Sequence, residues 1–448
     1  MLKLYPVVSG FIMSVTSWTK IEEMIGGKKT GKKIHLRGWI YRTRSSGNIV
    51  FTVIRDATGT IQATVKKGNL PDNEFEDAKK ALIESSVELT GVVNEDKRAP
   101  GGYEIQVTNL NVVNFADPFP IVKDQSPEFL LDQRHLWIRS QKLASILKIR
   151  STVVGAIHKF FRDNGYYEFD APVLQPNQCE GGSTLFEVKY YENKTYLSQS
   201  WQLYAESAIF SLEKIYNMGP TFRAEQSKTS RHLSEFWMAE MEAAWMDLNE
   251  VTEVAKDEVK FILNEVLKQN KREIEVLGQD VKKLQHIADS KFPTITYTEA
   301  IDILNEKEHM NVKWGKDLRT LEEDRLMNHF DTPVVVTRYP LEIMAFYKPP
   351  DPENLKTALC FDMIAPEGYG EIVGGSQRSI DIAYMRKRLK ESGENVKNYE
   401  WYFDLRRYGS VPHSGYGLGV ERLVAWICGI DNIKDAIPFP RTLLRFRP

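Results

Sequence analysis

Between residues 32 and 114 apolar and polar side chains alternate in five short runs, 34–41, 49–55, 61–65, 87–93 and 103–113, broken by Gly and Asp. A period of two turns one face of each run inward. Five such strands in so short a stretch bury those faces best by closing on one another, so a small barrel is expected. A helical stretch, 75–84, falls between the third and fourth runs. The segment 117–139, with Pro118, Pro120 and Pro127 and no sustained period, reads as a hinge. The chain then divides into an extension over 1–20, a barrel over 21–116, the hinge, and a larger domain over 140–448. Two domains at least are required, because 448 residues exceed what one core supports.

In the larger domain Leu143, Ile146, Leu147, Val153, Val154, Ile157, Phe160 and Phe161 recur at helical spacing, and the helix stops near Asn164-Gly165. A short strand, 167–169, runs into Pro172. From about 248 to 332 the chain is Lys/Glu-rich and helical, which suggests an inserted helical module. Lys+Arg number 59 and Asp+Glu 61, so a nucleic-acid partner would be held by local basic surface and not by a global field. Cys179, Cys360 and Cys428 show no metal-ligand spacing and are expected buried and reduced. The apolar start, 2–13, is too short to span a bilayer, and a cytoplasmic protein without membrane attachment is expected.

Two segments carry chemistry. Phe222-Arg223-Ala224-Glu225 ends one predicted strand and 236–245 forms the next, joined by a polar loop. The loop offers Lys228, Arg231 and His232 to a polyphosphate, and Arg223 on the strand can fork onto a phosphate oxygen. Alone, such a hairpin equally suits a solvated turn. The second is Gly415-Tyr416-Gly417-Leu418-Gly419-Val420-Glu421-Arg422, leading into an apolar helix. Glycines admit a ribose or base close to the backbone, and Arg422 supplies a planar cation. The spacing fits neither the dinucleotide nor the phosphate-loop signature, so a nucleotide site on another fold is needed.

In order and spacing these segments resemble motifs 2 and 3 of class II aminoacyl-tRNA synthetases, and the helix ending at Pro172 resembles motif 1. With a preceding oligonucleotide-binding (OB) barrel, the resemblance points to the aspartyl, asparaginyl and lysyl group. It implies an α+β fold: an N-terminal OB barrel, then an antiparallel catalytic sheet flanked by helices, in a homodimer formed through motif 1. It also implies ATP as substrate and Mg²⁺ as cofactor. Arg223 would hold the α-phosphate and the substrate carboxylate, Glu225 the adenine amino group, and Phe236 one face of adenine. Arg231 and His232 would reach the outer phosphates, Gly419 would line the nucleotide site, and Arg422 would cover the γ-phosphate and the other face of adenine. Glu371 and Asp362 would hold the metal, with Gly374 where some relatives carry Ser. Glu180 would bind the α-ammonium group, with Gln202 also at the amino acid. No general base is required, since the attacking carboxylate is already ionised.

The choice of amino acid narrows the resemblance. Aspartyl enzymes carry a lysine in the strand segment where this chain has Ser200-Trp201-Gln202-Leu203-Tyr204-Ala205-Glu206, with Ala205 at its place. Without that cation a buried aspartate side chain is costly, whereas an amide can be satisfied by hydrogen bonds. Arg378 would donate to the amide oxygen, and Glu235 would accept from the amide nitrogen while repelling a carboxylate. L-Asparagine and tRNA(Asn) are therefore the expected partners. On the barrel, Phe51 would stack on the central anticodon uridine and Gln62 hydrogen-bond to it, with Arg42, Arg44 and Arg55 on the backbone. The rivals are an aspartyl enzyme of relaxed specificity, a paralogue that amidates aspartate and lacks the barrel, and a non-catalytic RNA-binding module. Intact Arg223, Glu225, Glu371 and Arg422 oppose the last.

Overall fold

The five alternating runs form strands β1 (Lys33–Ser46), β2 (Ile49–Arg55), β3 (Thr60–Lys66), β4 (Ser86–Glu95) and β5 (Tyr103–Asn114), closed in the order β1-β2-β3-β5-β4. Alternation sends Ile34, Leu36, Val50, Ile54, Ile61, Val65, Leu89 and Ile105 inward, and the helix Asp72–Lys80 adds Phe75 and Ala78 to that core. Burying each large aliphatic side chain is worth about 1.5–3 kcal/mol. A bulge between Ile40 and Arg42 shifts the register of β1, so that Arg42 and Arg44 are exposed opposite β2.

The structure, a computed structural model, describes residues 17–179, 185–226 and 231–447, and it divides between Ser126 and Pro127 into two compact units. Most of the expected extension over 1–20 thus lies outside the described residues. The expected hinge is corrected at its C-terminal end, where Pro127–Asp132 and Arg134–Trp137 are helical. Arg134 is buried there and donates to Pro438 O at 2.8 Å, Lys434 O at 3.0 Å and Ile437 O at 2.8 Å. Those bonds bind this segment to the C-terminal part of the catalytic unit.

The catalytic unit contains β6 (Tyr167–Glu168), β7 (Leu174–Gln175), β8 (Glu187–Tyr190), β9 (Asn193–Leu197), β10 (Lys214–Phe222), β11 (Glu235–Ala244), β12 (Thr294–Thr296), β13 (Val334–Thr337), β14 (Pro350–Asp351), β15 (Asn354–Ala358), β16 (Cys360–Ala365), β17 (Gly370–Gln377) and β18 (His413–Gly419). Eight of them form one sheet in the order β12-β13-β16-β17-β18-β11-β10-β6. The expected antiparallel pairing holds across its middle, but the outer pairs β12·β13 and β10·β6 are parallel. Each of those pairs is joined by a connection long enough to cross over.

Behind the sheet runs the helix Gln141–Asp163, opened by Ser140, whose hydroxyl accepts from Leu143 N at 3.3 Å. Beside it lies Leu248–Gln269, which buries Val251, Ala255, Val259, Ile262, Leu263 and Val266 in the same core. The expectation of an inserted module over 248–332 is corrected by this packing. Its first helix belongs to the main core, and β12 within it extends the main sheet. All three cysteines are buried, and none is in a disulfide. Among the described residues no helix is long and apolar enough to cross a membrane.

Candidate active site

Strand parity builds the site. On β11 the residues Phe236, Met238, Glu240 and Glu242 line two adjoining cavities, while Ala239 and Ala243 belong to the core behind and Met241, also of that core, borders the second cavity. The first cavity is also lined by Arg223, Glu225, Arg231, His232, Glu371, Gly417, Gly419 and Arg422. The described residues expected at the nucleotide therefore meet in one place. The second is lined by Ser200, Gln202, Asp317, Tyr347, Lys348, Asp362, Gly374 and Arg378, and shares Arg223 and Glu371 with the first. Glu180 and Lys228 lie outside the described residues.

Arg223 stands between the cavities, with its guanidinium carbon 5.4 Å from the Phe236 ring centroid. Its Nε is buried without a hydrogen-bond partner among the described residues, as suits a group awaiting an anion. Arg422 donates to Glu371 O at 2.6 Å and so ties the start of the motif 3 helix to β17. Arg231 donates to Asp324 at 3.1 Å. His232 lies 3.8 Å from Glu225, and burial followed by the Arg422 charge lowers its pKa.

The helix Val420–Cys428 is anchored by Glu421, which accepts from Arg150 Nη2 at 2.6 Å and from Trp237 N at 2.9 Å. Gly415 admits the chemistry beneath it. A Cβ there would lie 2.1 Å from Glu242 Oε2.

Asp362, Glu371 and Asp317 converge on the second cavity. Burial and then Glu371 raise the pKa of both Asp362 and Asp317, and nearby Lys348 opposes this. Oxygens of Glu371 and Asp362 would lie 2.6 Å and 3.4 Å from a Cβ on Gly374, so both acids point over the same glycine. Hard oxygen ligands under mutual repulsion fit a divalent cation.

Arg378 is 4 % exposed and forks onto Glu242, Nε to Oε1 at 2.9 Å and Nη2 to Oε2 at 2.8 Å, with Nη1 donating to Ser376 Oγ at 2.8 Å. Burial disfavours its charge, but Glu242 and Glu206 outweigh that and raise its pKa.

Three expectations for this cavity are corrected. Glu235 is not among the residues that line it: it opens β11 opposite Phe222, and its backbone forms an isolated bridge to Arg441. The segment around Ala205 is not a strand but the helix Gln202–Leu212. Ala205 is fully buried there among Trp201, Ala208, Ile209, Ile215 and Ala244. Nor does the cavity lack a further cation, since Lys348 lines it, brought in by a distant segment.

On the barrel, Phe51 and Gln62 lie on the outward face of β2 and β3, with the Arg44 guanidinium 4.7 Å from the Phe51 ring centroid. Arg42 lies 5.5 Å from the Tyr41 ring. Gln62 Nε2 donates to Glu104 at 3.0 Å. Arg55 donates to Glu84 through Nη1 at 3.0 Å and Nη2 at 2.9 Å.

The chain matches two family profiles, "tRNA synthetases class II (D, K and N)" over residues 126–443 and "OB-fold nucleic acid binding domain" over 34–113. It is 47% identical over 423 residues to an asparagine–tRNA ligase of Pelotomaculum thermopropionicum, covering 94% of this chain and 98% of that protein. The asparaginyl-tRNA synthetase of Pyrococcus horikoshii, solved in complex with asparaginyl-adenylate, superposes with a TM-score of 0.92 at 46% identity, over 97% of this chain and 100% of that one. The chain belongs to the class II asparaginyl-tRNA synthetases. An aspartyl-tRNA synthetase from Entamoeba histolytica superposes at 0.84 with only 26% identity, over 99% of this chain and 96% of that one, so the fold alone does not separate the two specificities.

Sequence reasoning missed several residues of this asparaginyl-tRNA synthetase's second cavity. Glu240 and Glu242 were within reach, because they share the parity of Phe236. Asp317 and Lys348 carry no local signal and reach the cavity only through the fold.

Proposed function

We propose that the adjoining cavities activate L-asparagine with ATP and that the enzyme then transfers the amino acid to tRNA(Asn). The observation that carries this reading is that Arg223 and Glu371 line both cavities, at the junction where carboxylate and α-phosphate must meet. An oxygen of the asparagine α-carboxylate bonds to the α-phosphorus as the bond to pyrophosphate breaks. A ribose hydroxyl of the tRNA then takes the carbonyl and releases AMP. Arg223 offsets the charge that builds at phosphorus, Phe236 and Arg422 flank adenine, Glu225 accepts from its amino group, and Arg231 and His232 face the outer phosphates. Asp362 and Glu371 would hold Mg²⁺, which when bound supplies positive charge to the phosphate oxygens.

Selectivity for the amide follows from the cavity's charge. Glu240 and Glu242 line the same cavity as Arg378, and Glu242 already takes two N–H groups and the charge of that guanidinium. A substrate carboxylate would add a further negative charge, at a cost of several kcal/mol at buried separations. Arg378 has used three of its five N–H groups and keeps two for an amide oxygen. Glu240 and Glu242, and not Glu235, are the repelling carboxylates.

For the RNA, Phe51 offers a stacking face, and Glu104 holds the Gln62 NH₂ so that the amide oxygen is available to the N3–H of a uridine. A homodimer through motif 1 is consistent with Tyr167 and Leu174, which remain 60% and 40% exposed in the isolated chain. The test is amino-acid-dependent ATP–pyrophosphate exchange with asparagine and aspartate in parallel. Faster exchange with aspartate would refute the assignment of asparagine. Glu371→Gln should abolish exchange and weaken Mn²⁺ binding measured directly by spin resonance.

A further inference from the structure

Behind the amino-acid cavity lies a group of buried polar side chains that the activation chemistry leaves unexplained. Glu206, fully buried on the helix Gln202–Leu212, accepts from Gln202 Nε2 at 2.9 Å, Tyr402 Oη at 2.7 Å and Arg406 Nη2, and lies 3.1 Å from His413 Nε2. Four partners match the four lone-pair sites of a carboxylate. Glu206, Glu242 and His413 bring potential metal-ligand atoms within 4.8 Å of one another. Arg406 pairs with Glu206 and Arg378 with Glu242, so guanidinium groups already supply the positive charge that such a set would seek. Burial works against the Glu206 charge, but Arg406 and His413 prevail and hold its pKa below the usual carboxylate range.

Gln202 is the partner of Glu206 that lines the cavity, one helical turn away. An ionised carboxylate only accepts hydrogen bonds, so Gln202 must turn its NH₂ toward Glu206. The reverse orientation would set two acceptor oxygens 2.9 Å apart. Its amide oxygen is thereby turned away from Glu206. We infer that Glu206 is a positioning residue for amino-acid binding: it locks the Gln202 amide so that an acceptor, and not a donor, meets an N–H group of the bound amino acid. This rests on the second cavity being the asparagine site.

Glu206→Gln removes the lock, because a glutamine at 206 can face Gln202 with either end of its amide. The expected result is a KM for asparagine raised about tenfold in exchange, the worth of one misdirected hydrogen bond, with the KM for ATP within twofold. In a Gln202→Ala background the same change should have no further effect on that KM. An equal rise in both backgrounds, or no rise in the native background, overturns the lock. Tyr402→Phe takes one donor from Glu206 but leaves its charge, so it should lower the thermal midpoint while the KM for asparagine stays within twofold. A tenfold rise in that variant also overturns it, and this comparison stands even if Glu206→Gln fails to fold. If the native enzyme shows no asparagine-dependent exchange, the reading of the cavity fails. If native exchange is sound and Glu206→Gln leaves the KM unmoved, the lock alone fails.

Discussion

Arg378→Lys is the most informative single change, because it keeps the charge and removes only the geometry. Native Arg378 spends two parallel N–H groups on Glu242 and one on Ser376, which leaves two for the substrate amide oxygen. A lysine ammonium at the end of a flexible stem cannot fork onto Glu242 and also hold the substrate. A hydrogen bond to a charged group is worth about 1.5–3 kcal/mol, so losing the one to asparagine should lower kcat/KM for asparagine by about 10–150-fold. Glu242 keeps a cation beside it, and folding should lose only about 1–3 kcal/mol. Arg378→Met, by contrast, leaves the Glu242 carboxylate buried and unpaired, a loss of about 3–5 kcal/mol. Pyrophosphate exchange with asparagine and ATP titrated separately, together with thermal denaturation, measures both effects. The KM for ATP should stay within twofold in the lysine variant. A lysine variant with the native KM for asparagine, or a methionine variant as stable as the lysine variant, would falsify this account of the pair.

Three further outcomes follow from the geometry. Glu258, buried against the Tyr416 hydroxyl that donates to it at 2.6 Å, has its pKa pushed up by burial to about 8. The unfolded chain releases that proton near 4.5 and the folded chain keeps it, so stability falls as pH rises from about 4.5 to about 8 and levels off above. Glu258→Gln should remove that component, and its thermal midpoint should gain on the native one across this window; parallel midpoint curves would count against a neutral Glu258. Gly415→Ala sets a Cβ 2.1 Å from Glu242 Oε2 and 2.7 Å from Arg378 Nη2, and exchange should drop more than tenfold; wild-type exchange would mean that this ion pair can move without consequence. Phe51→Ala should raise the KM for tRNA by about 10–100-fold, the worth of stacking one base, with asparagine-dependent exchange, which needs no tRNA, within twofold. An unchanged KM for tRNA would take Phe51 off the RNA surface.

Local pattern carried far in this chain. The five barrel strands were legible within a few residues, because alternation of period two is a property of each strand alone. The nucleotide cavity was legible for a related reason. Arg223, Glu225 and Phe236 lie on one hairpin and Gly419 and Arg422 on one strand-to-helix junction, so two short segments supply most of its walls. The amino-acid cavity was harder, since it draws on segments from Ser200 to Gly417. There local pattern misleads twice: Glu235 adjoins Phe236 in sequence yet does not line the cavity, and the segment around Ala205 is a helix where a strand is expected.

What the sequence determined unaided was the order of its elements, the barrel, the hairpin that bears Arg223 and the glycine strand that leads to Arg422, all set by side-chain period, turn residues and spacing. Tertiary structure alone decided which charges meet. Arg378 finds Glu242 across 136 positions, Glu206 finds Arg406 across 200, and Lys348 adds a cation to a cavity that already holds Arg223 and Arg378. Such pairs leave no periodic trace, because burial and partner choice depend on which strands lie side by side, and strand order in this sheet is not chain order.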